Sequence, residues 1–240
     1  MNLKWFFQRL FSRPVSARDD REARLMAMGA MYIELDQMLD QLAALMGGRS
    51  TPAARKDLVK QGFASWDLET ERIACPICQQ TLAQWWDITD NASLVAKLWW
   101  LLQEGHRTEF ERFVAALDTS SGNYDLEDGA YAQAVYWRPR LTKSGILGWD
   151  LARCIHVLRL SYNAGFIDEG GSWTFLHKLE APAAQIASWQ EFGHSYLAGL
   201  EFWSEQEEPH YREIVARLLR HPCSPWVYFP WPESHASPQE

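Results

Sequence analysis

The segment GWDLARCIHVLRLSYNAGFID, residues 148–168, indicates how this chain of 240 residues folds. Its apolar side chains recur every three or four residues, the period of a helix with one buried face. Those side chains are Leu151, Ile155, Leu158 and Tyr162. Gly165 follows them and is suited to end the helix. The same period recurs along most of the chain, and no run of alternating residues indicates strands. We therefore predict a mainly α fold, built as a single compact multi-helix domain.

Helix-starting and helix-ending residues divide the rest of the chain. In residue numbers, the predicted helices span about 21–46, 52 onward, 76–86, 91–105, 149–165, 188–203 and 209–221. Ser188 and Glu191 form a capping box, in which each side chain should satisfy a free backbone N–H. Residues 119–129 are rich in Ser, Gly, Asn and Asp and predict an exposed loop. Residues 1–20 are expected to be a basic and aromatic arm, and residues 21–240 the domain.

The C-terminal segment CSPWVYFPWP, residues 223–232, is rich in Pro and Trp. Its prolines are incompatible with a helix interior, so we predict an extended tail. Four aromatic side chains in ten residues would be insoluble if exposed. The tail is therefore expected to pack across the helical domain or to enter a partner.

Charge and composition exclude several classes of protein. The chain has 23 Lys and Arg against 31 Asp and Glu, a net charge of −8, which is the wrong sign for binding nucleic acid through its phosphates. No apolar run is long enough to cross a bilayer, so membrane contact is expected only through residues 1–18. Four cysteines are too few for a disulfide scaffold. A cytoplasmic location is the prediction.

Cys75 and Cys78 form a CxxC motif, the spacing that places two thiolates within reach of one zinc ion. Structural zinc needs four ligands, and the chain offers two further pairs, Cys154 with His156 and His221 with Cys223. Two ordinary thiols in a helical turn are the favoured explanation of the motif. Zinc is therefore an alternative, and no cofactor is the main expectation.

Asp150 and Arg153 lie three residues apart on an otherwise apolar helix and can pair with each other. The candidate network or pocket comprises Asp150, Arg153, His156, Arg159, Tyr162 and Tyr196. It can be a pocket for an anionic group, or an internal network that fixes how helices meet. The tripeptide Gly105-His106-Arg107 can place a base beside a cation, or simply cap the last helical turn.

Catalytic motifs are absent from the sequence: it has no GxSxG, P-loop, GxGxxG or HExxH pattern. The chain instead has 13 Trp, and those most suited to a partner surface are Trp85, Trp99 and Trp5, the last beside Phe6. We therefore predict a non-enzymatic module that binds a protein partner, as an adaptor or by neutralising a toxin. An enzyme or ligand-binding protein using Asp150 and its neighbours, and a zinc protein, are the alternatives.

Three segments together resemble a bacterial family called domain of unknown function 1266: residues 148–168, SWQEFGHSYLAGLEFW at 188–203, and two Pro-Trp pairs at 224–231. A looser similarity extends the family-like part to about residues 80–232. The resemblance implies a mainly helical bacterial domain and supplies no activity. Residues 169–171, Glu-Gly-Gly, depart from the acidic helix formers usual there, so a weakened helix start is expected.

Overall fold

The computed structural model describes residues 16–32, 51–66, 74–119 and 128–232. The helices are α1 Asp20–Ala27, α2 Pro52–Phe63, α3 Ala74–Trp86, α4 Asn91–Gln103, α5 Arg107–Thr119, α6 Gly129–Trp137, α7 Leu147–Ala164, α8 Glu169–Lys178, α9 Glu180–Ala183, α10 Trp189–Ser204, α11 Pro209–Arg220 and α12 Pro225–Tyr228. Short 3-10 turns span Ala30–Tyr32 and Arg138–Arg140. The predicted mainly α class is confirmed. Within these described ranges no helix is long and apolar enough to cross a membrane.

Helix α7 lies at the centre of the fold, and every one of its residues except His156 is buried. It packs against α3, α4 and α10. Glycine makes the closest of these contacts possible, because a Cβ on Gly199 would lie 2.3 Å from the Cβ of Trp149. At the other end of the contact, the N–H of Gly148 donates to the Ser195 hydroxyl at 2.7 Å. The position of α7 therefore depends on glycine at the α7–α10 contact.

Local capping explains where several helices begin and end. Thr51 accepts from the N–H of Ala54 at the start of α2, and Asp90 forms a capping box with Ser93 at the start of α4. Gly165 adopts a left-handed conformation, φ +79°, at the end of α7. The end of α7 at Gly165 is as predicted, and all three caps depend on hydrogen bonds between near neighbours in sequence.

Both side chains of the predicted capping box at the start of α10 accept from a backbone N–H, as expected, although the second N–H is not that of Ser188 itself. The Ser188 hydroxyl accepts from the N–H of Glu191 at 3.1 Å, as expected. The Glu191 carboxylate, however, accepts from the N–H of Ala187 at 2.7 Å and also from the hydroxyl of Ser144 at 2.8 Å. Glu191 thus joins the start of α10 to the turn that precedes α7.

The first predicted helix, residues 21–46, is wrong in its length. Helix α1 ends at Ala27, and a turn at Met28 and Gly29 follows it. Gly29 packs directly on α7, where a Cβ would lie 2.5 Å from Cγ2 of Ile155. This tertiary contact redirects the chain despite a continuous apolar period. Residues 33–50 lie outside the described part of the chain, as do residues 1–15 of the predicted arm and residues 120–127 of the predicted loop.

Helix α8 begins at Glu169 although two glycines follow, so the expected weakening of this start is not seen. The Asp168 carboxylate accepts from the N–H of Gly171 at 2.8 Å and caps the helix. Gly171 is also required for packing, because a Cβ there would lie 2.8 Å from Cγ1 of Ile167.

The tail is not entirely extended, which corrects the prediction. Pro225 opens one helical turn, α12, because the first position of a helix needs no N–H donor. Trp226 stacks on Trp189, with ring centroids 4.7 Å apart, and its Nε1 donates to the carbonyl of Ala27 at 2.9 Å. The prediction that the tail packs on the domain is confirmed. The aromatic residues of the tail thereby join α1 to α10.

Candidate functional site

The residues singled out from the sequence fall in two separate places. The first is a buried group around Asp150 at the start of α7, here named the charged centre and composed of Asp150, Arg153, Arg107, Tyr32 and Tyr196. The second is an exposed surface formed by α3, α4 and α8, described further below. Trp5 and Phe6, two candidates for a partner surface, lie outside the described residues.

Asp150 is fully buried and faces two guanidinium groups. Arg153, one turn later on α7, donates from Nη2 to Oδ1 of Asp150. Nη1 of Arg107, the first residue of α5, lies 2.9 Å from Oδ2. The N–H of His106 adds a long hydrogen bond to Oδ1 at 3.4 Å. The charged centre therefore holds one carboxylate between two arginines from different helices.

The turn between α4 and α5 brings Arg107 to this carboxylate. Gly105 has a left-handed conformation, φ +56°, and a Cβ there would lie 2.1 Å from Oδ2 of Asp150. Arg107 also donates to the carbonyl of Leu102 at 2.8 Å, which caps α4 as one interpretation of this tripeptide expected. Only glycine permits this approach of the turn to the carboxylate.

Aromatic rings line one side of the charged centre. The guanidinium carbon of Arg153 lies 4.7 Å from the ring of Trp149. Tyr196 meets Trp149 edge-on at 5.2 Å between centroids and Tyr32 at 6.1 Å. Two buried hydrogen-bond donors here, Nε of Arg153 and Nε1 of Trp149, have no acceptor among the described residues, and the hydroxyls of Tyr32 and Tyr196 pair with each other.

Burial determines the protonation of the neutral groups at the charged centre. It raises the pKa of Tyr32 and of Tyr196, so both hydroxyls keep their protons and can donate. Burial, reinforced by the charge of Arg153, lowers the pKa of His106. Burial also raises the pKa of Asp150, while Arg153 and Arg107 act in the opposite direction. With Asp150 ionised between two arginines, the centre has a net charge of +1.

The six candidates of the predicted network are only partly brought together. Asp150, Arg153 and Tyr196 meet at the charged centre, and His156 reaches it through Tyr32, on which its ring stacks at 4.2 Å. The remaining candidates, Arg159 and Tyr162, lie further along α7; Tyr162 packs near Trp66 at 6.3 Å.

Two residues of the centre were not assigned to it from the sequence. Arg107 was noted for its charge but not placed near Asp150, and Tyr32 was not singled out. Arg107 lies far from Asp150 in sequence, and no local pattern joins the two.

The CxxC cysteines lie in the first turns of α3. Sγ of Cys75 is 3.5 Å from the carbonyl oxygen of Ala164, and Cys78 is buried. Across the ranges that the structure describes, no three His, Cys, Asp or Glu side chains form a group that could hold a metal ion. Zinc binding through Cys75 and Cys78 stays a prediction.

The exposed surface belongs to α3 and α4, whose sequences contain a single charged residue, Lys97. Trp85 is 70% exposed on α3, and Trp99 is 40% exposed on α4. Ile77 and Val95 are also exposed on these helices. In a chain with 22% charged residues, two helices with a single charge between them are unusual. We name the aromatic face the exposed apolar side chains of these two helices, Ile77, Trp85, Val95 and Trp99, together with the groove that Val95 lines.

The groove of the aromatic face has a volume of about 770 Å³. Residues lining it include Gln79, Asn91, Val95, Ile167, Phe175 and Lys178. Two amides fix its floor, because Gln79 donates to the carbonyl of Ala164 at 2.9 Å and Asn91 to that of Phe166 at 3.0 Å. Nζ of Lys178 lies 5.6 Å from the ring centroid of Trp99. Lys178 forms no ion pair with any described residue, so its charge is available to a ligand.

The family described as "Protein of unknown function (DUF1266)" matches residues 81–231, well over half of the chain. The chain belongs to this family. In this DUF1266 protein the matched region contains Asp150, Arg153, Arg107 and Tyr196 of the charged centre, and Trp85 and Trp99 of the aromatic face. No curated protein and no solved structure shows significant similarity to the chain. Membership in the DUF1266 family assigns no activity.

Proposed function

We propose that this protein is a non-enzymatic module that binds a partner protein through the aromatic face. The observation that supports this most directly is the 70% exposure of Trp85 on a helix with no charged residue. The central parts of protein interfaces are depleted in charge and enriched in Trp, which also dominates their binding energy. An exposed Trp in such surroundings has a free-energy cost in water that a partner would remove.

The proposed partner presents a segment with apolar side chains and a carboxylate. Apolar side chains would pack on Trp99, Val95 and Phe175, which line or border the groove. The carboxylate would pair with Lys178, the cation at the edge of the groove. Charge complementarity at a single position, surrounded by apolar contacts, gives specificity as well as affinity.

We place this binding in the bacterial cytoplasm, where the protein would serve as an adaptor or as the partner that neutralises a toxin. Neither role requires a cofactor. A toxin partner would kill or arrest cells when expressed alone and would be harmless when expressed with this protein. An adaptor would bind its partner without any such effect on growth, so coexpression distinguishes the two roles.

Comparison of tagged full-length variants tests the proposal. The wild-type protein is used to capture partners from its native host, with mass spectrometry measuring the amount of each protein recovered. We expect a stoichiometric partner whose recovery falls at least tenfold with Trp85→Ala, since central Trp residues contribute about 2 kcal/mol or more. Trp203→Ala is the matched control, because Trp203 is 57% exposed but lies on α10.

A second pair of variants tests the chemistry of the partner. Lys178→Glu should weaken binding, whereas Lys143→Glu, an exposed charge reversal in the turn before α7, should leave it unchanged. Circular dichroism confirms that each variant is folded. The proposal is wrong if no stoichiometric partner is recovered, or if a partner binds the Trp85 variant and the wild type equally.

A further inference from the structure

We propose that the charged centre is a binding site for a small oxyanion, a phosphate or a carboxylate group, that its arginines and tyrosines hold by hydrogen bonds. This function is separate from partner binding at the aromatic face. The inference depends on unpaired donors and unbalanced charge in the interior, and on their contrast with another buried ion pair of the same protein.

That other pair, Glu201 with Arg212, shows how this protein completes a buried carboxylate. Glu201 is fully buried on α10 and accepts from Nε and Nη2 of Arg212 at 2.6 and 2.7 Å. It also accepts from Nε1 of Trp137 at 2.7 Å and from the N–H of Glu208 at 3.0 Å. Both oxygens of the Glu201 carboxylate are paired, and Nη1 of Arg212 also lies 3.4 Å from Oε2 of Glu207, so no positive charge is left unbalanced. A structural role therefore accounts completely for this ion pair.

The charged centre differs in charge. Asp150 provides one negative charge against Arg153 and Arg107, and neither His106 nor His156 adds to the positive side at neutral pH, since burial lowers the pKa of both. A net positive charge in the interior is unfavourable unless an anion compensates it. A bound oxyanion would bring the net charge of the centre to zero or below.

The charged centre also differs in its hydrogen bonds. Nε of Arg153 and Nε1 of Trp149 are buried donors with no acceptor in the described part of the chain, and the Tyr32 and Tyr196 hydroxyls pair only with each other, which leaves one of their two protons without an acceptor. Ring contacts join all of them: Arg153 lies over Trp149, Trp149 meets Tyr196, and Tyr196 meets Tyr32. Buried donors without acceptors are rare in native proteins and require an explanation. An oxyanion supplies several acceptor oxygens at one point.

An oxyanion suits these donors better than a halide does. A guanidinium presents planar N–H groups that match the two oxygens of a carboxylate or phosphate. The tyrosine hydroxyls stay protonated, so the pair can donate a hydrogen bond toward an anion. His106 and Arg107 are only partly buried, so a ligand would enter on their side of the centre.

The test measures thermal unfolding and calorimetric binding of the full-length protein with inorganic phosphate or acetate, against sodium chloride at equal ionic strength. We expect at least one oxyanion to raise the Tm and to bind with a measurable Kd. Tyr196→Phe removes a hydroxyl whose one partner among the described residues is the Tyr32 hydroxyl, so it should fold normally and weaken binding about tenfold. Tyr136→Phe, an exposed tyrosine on α6, is the control and should bind as the wild type does.

Arg153→Met should abolish the response to oxyanions. Because this variant can also fail to fold, the result with Tyr196→Phe decides the test. A centre filled by water alone would show no response to either oxyanion beyond that to chloride, and this result would overturn the proposal. Equal binding by the Tyr196 variant and the wild type would overturn it as well. A failure to capture a partner protein would not affect this test, because oxyanion binding at the charged centre and partner binding at the aromatic face are tested with different variants.

Discussion

Asp150→Asn tests whether the charge of this carboxylate holds the charged centre together. The substitution keeps the shape of the side chain but leaves Arg153 and Arg107 without an anion. At the 2.9 Å between Arg107 Nη1 and Asp150 Oδ2, and with an effective dielectric constant of ~20, Coulomb attraction amounts to about 6 kcal/mol for that pair. Desolvation of the three groups opposes this attraction. Removing one member of a buried ion pair has a net cost of about 3–5 kcal/mol.

We therefore expect Asp150→Asn to lower the free energy of unfolding by about 3–5 kcal/mol and the Tm by about 10 °C. Urea unfolding followed by circular dichroism measures the first, and differential scanning calorimetry the second. Asp87→Asn is the control, since its side chain is 93% exposed and should change stability by less than about 0.5 kcal/mol. A loss below about 1 kcal/mol for Asp150→Asn would refute the argument that its charge is needed.

The other predictions concern pH and packing. Burial, with Arg159, lowers the pKa of His156 from 6.5 to about 4, so between these values the unfolded chain binds a proton that the folded chain does not. The contribution of neutral His156 to the free energy of unfolding should be fully present above about pH 6.5, and about 2 kcal/mol of it should be lost at about pH 5. Urea unfolding of His156→Phe, which keeps the stacking on Tyr32, should lack this loss. Gly199→Ala should lower the free energy of unfolding by about 1–3 kcal/mol, because the Cβ of the new alanine would overlap Trp149. Gly170→Ala, whose nearest contact would be 3.7 Å away, should show no loss in the same calorimetric measurement, and an equal loss in both would contradict the packing argument.

Residues near each other in sequence account for what could be predicted of the helices. Thr51, Asp90 and Gly165 act on backbone groups within one turn, so their effect is visible without tertiary structure. The end of α1 could not be predicted in this way. It depends on Gly29 meeting Ile155, a contact between residues far apart in sequence.

The candidate sites show the same difference between contacts that are local in sequence and contacts that are not. The pairing of Asp150 with Arg153 follows from a spacing of three residues on one helix. The approach of Arg107 and Tyr32 to that pair does not, because it requires the α4–α5 turn and the first 3-10 turn to pack on α7. Trp85 and Trp99 were noted as aromatic residues, but only the structure shows that both are exposed and that Trp99 lies beside Lys178 at the groove.

The sequence alone determined that this chain is mainly helical and belongs with the DUF1266 proteins, since the helical period, the capping residues and the family motifs all depend on residues close together in sequence. Tertiary structure alone decided which of its polar residues share a site. A buried carboxylate selects its partners by distance and desolvation, and those quantities exist only once α4, α5, α7 and α10 have packed.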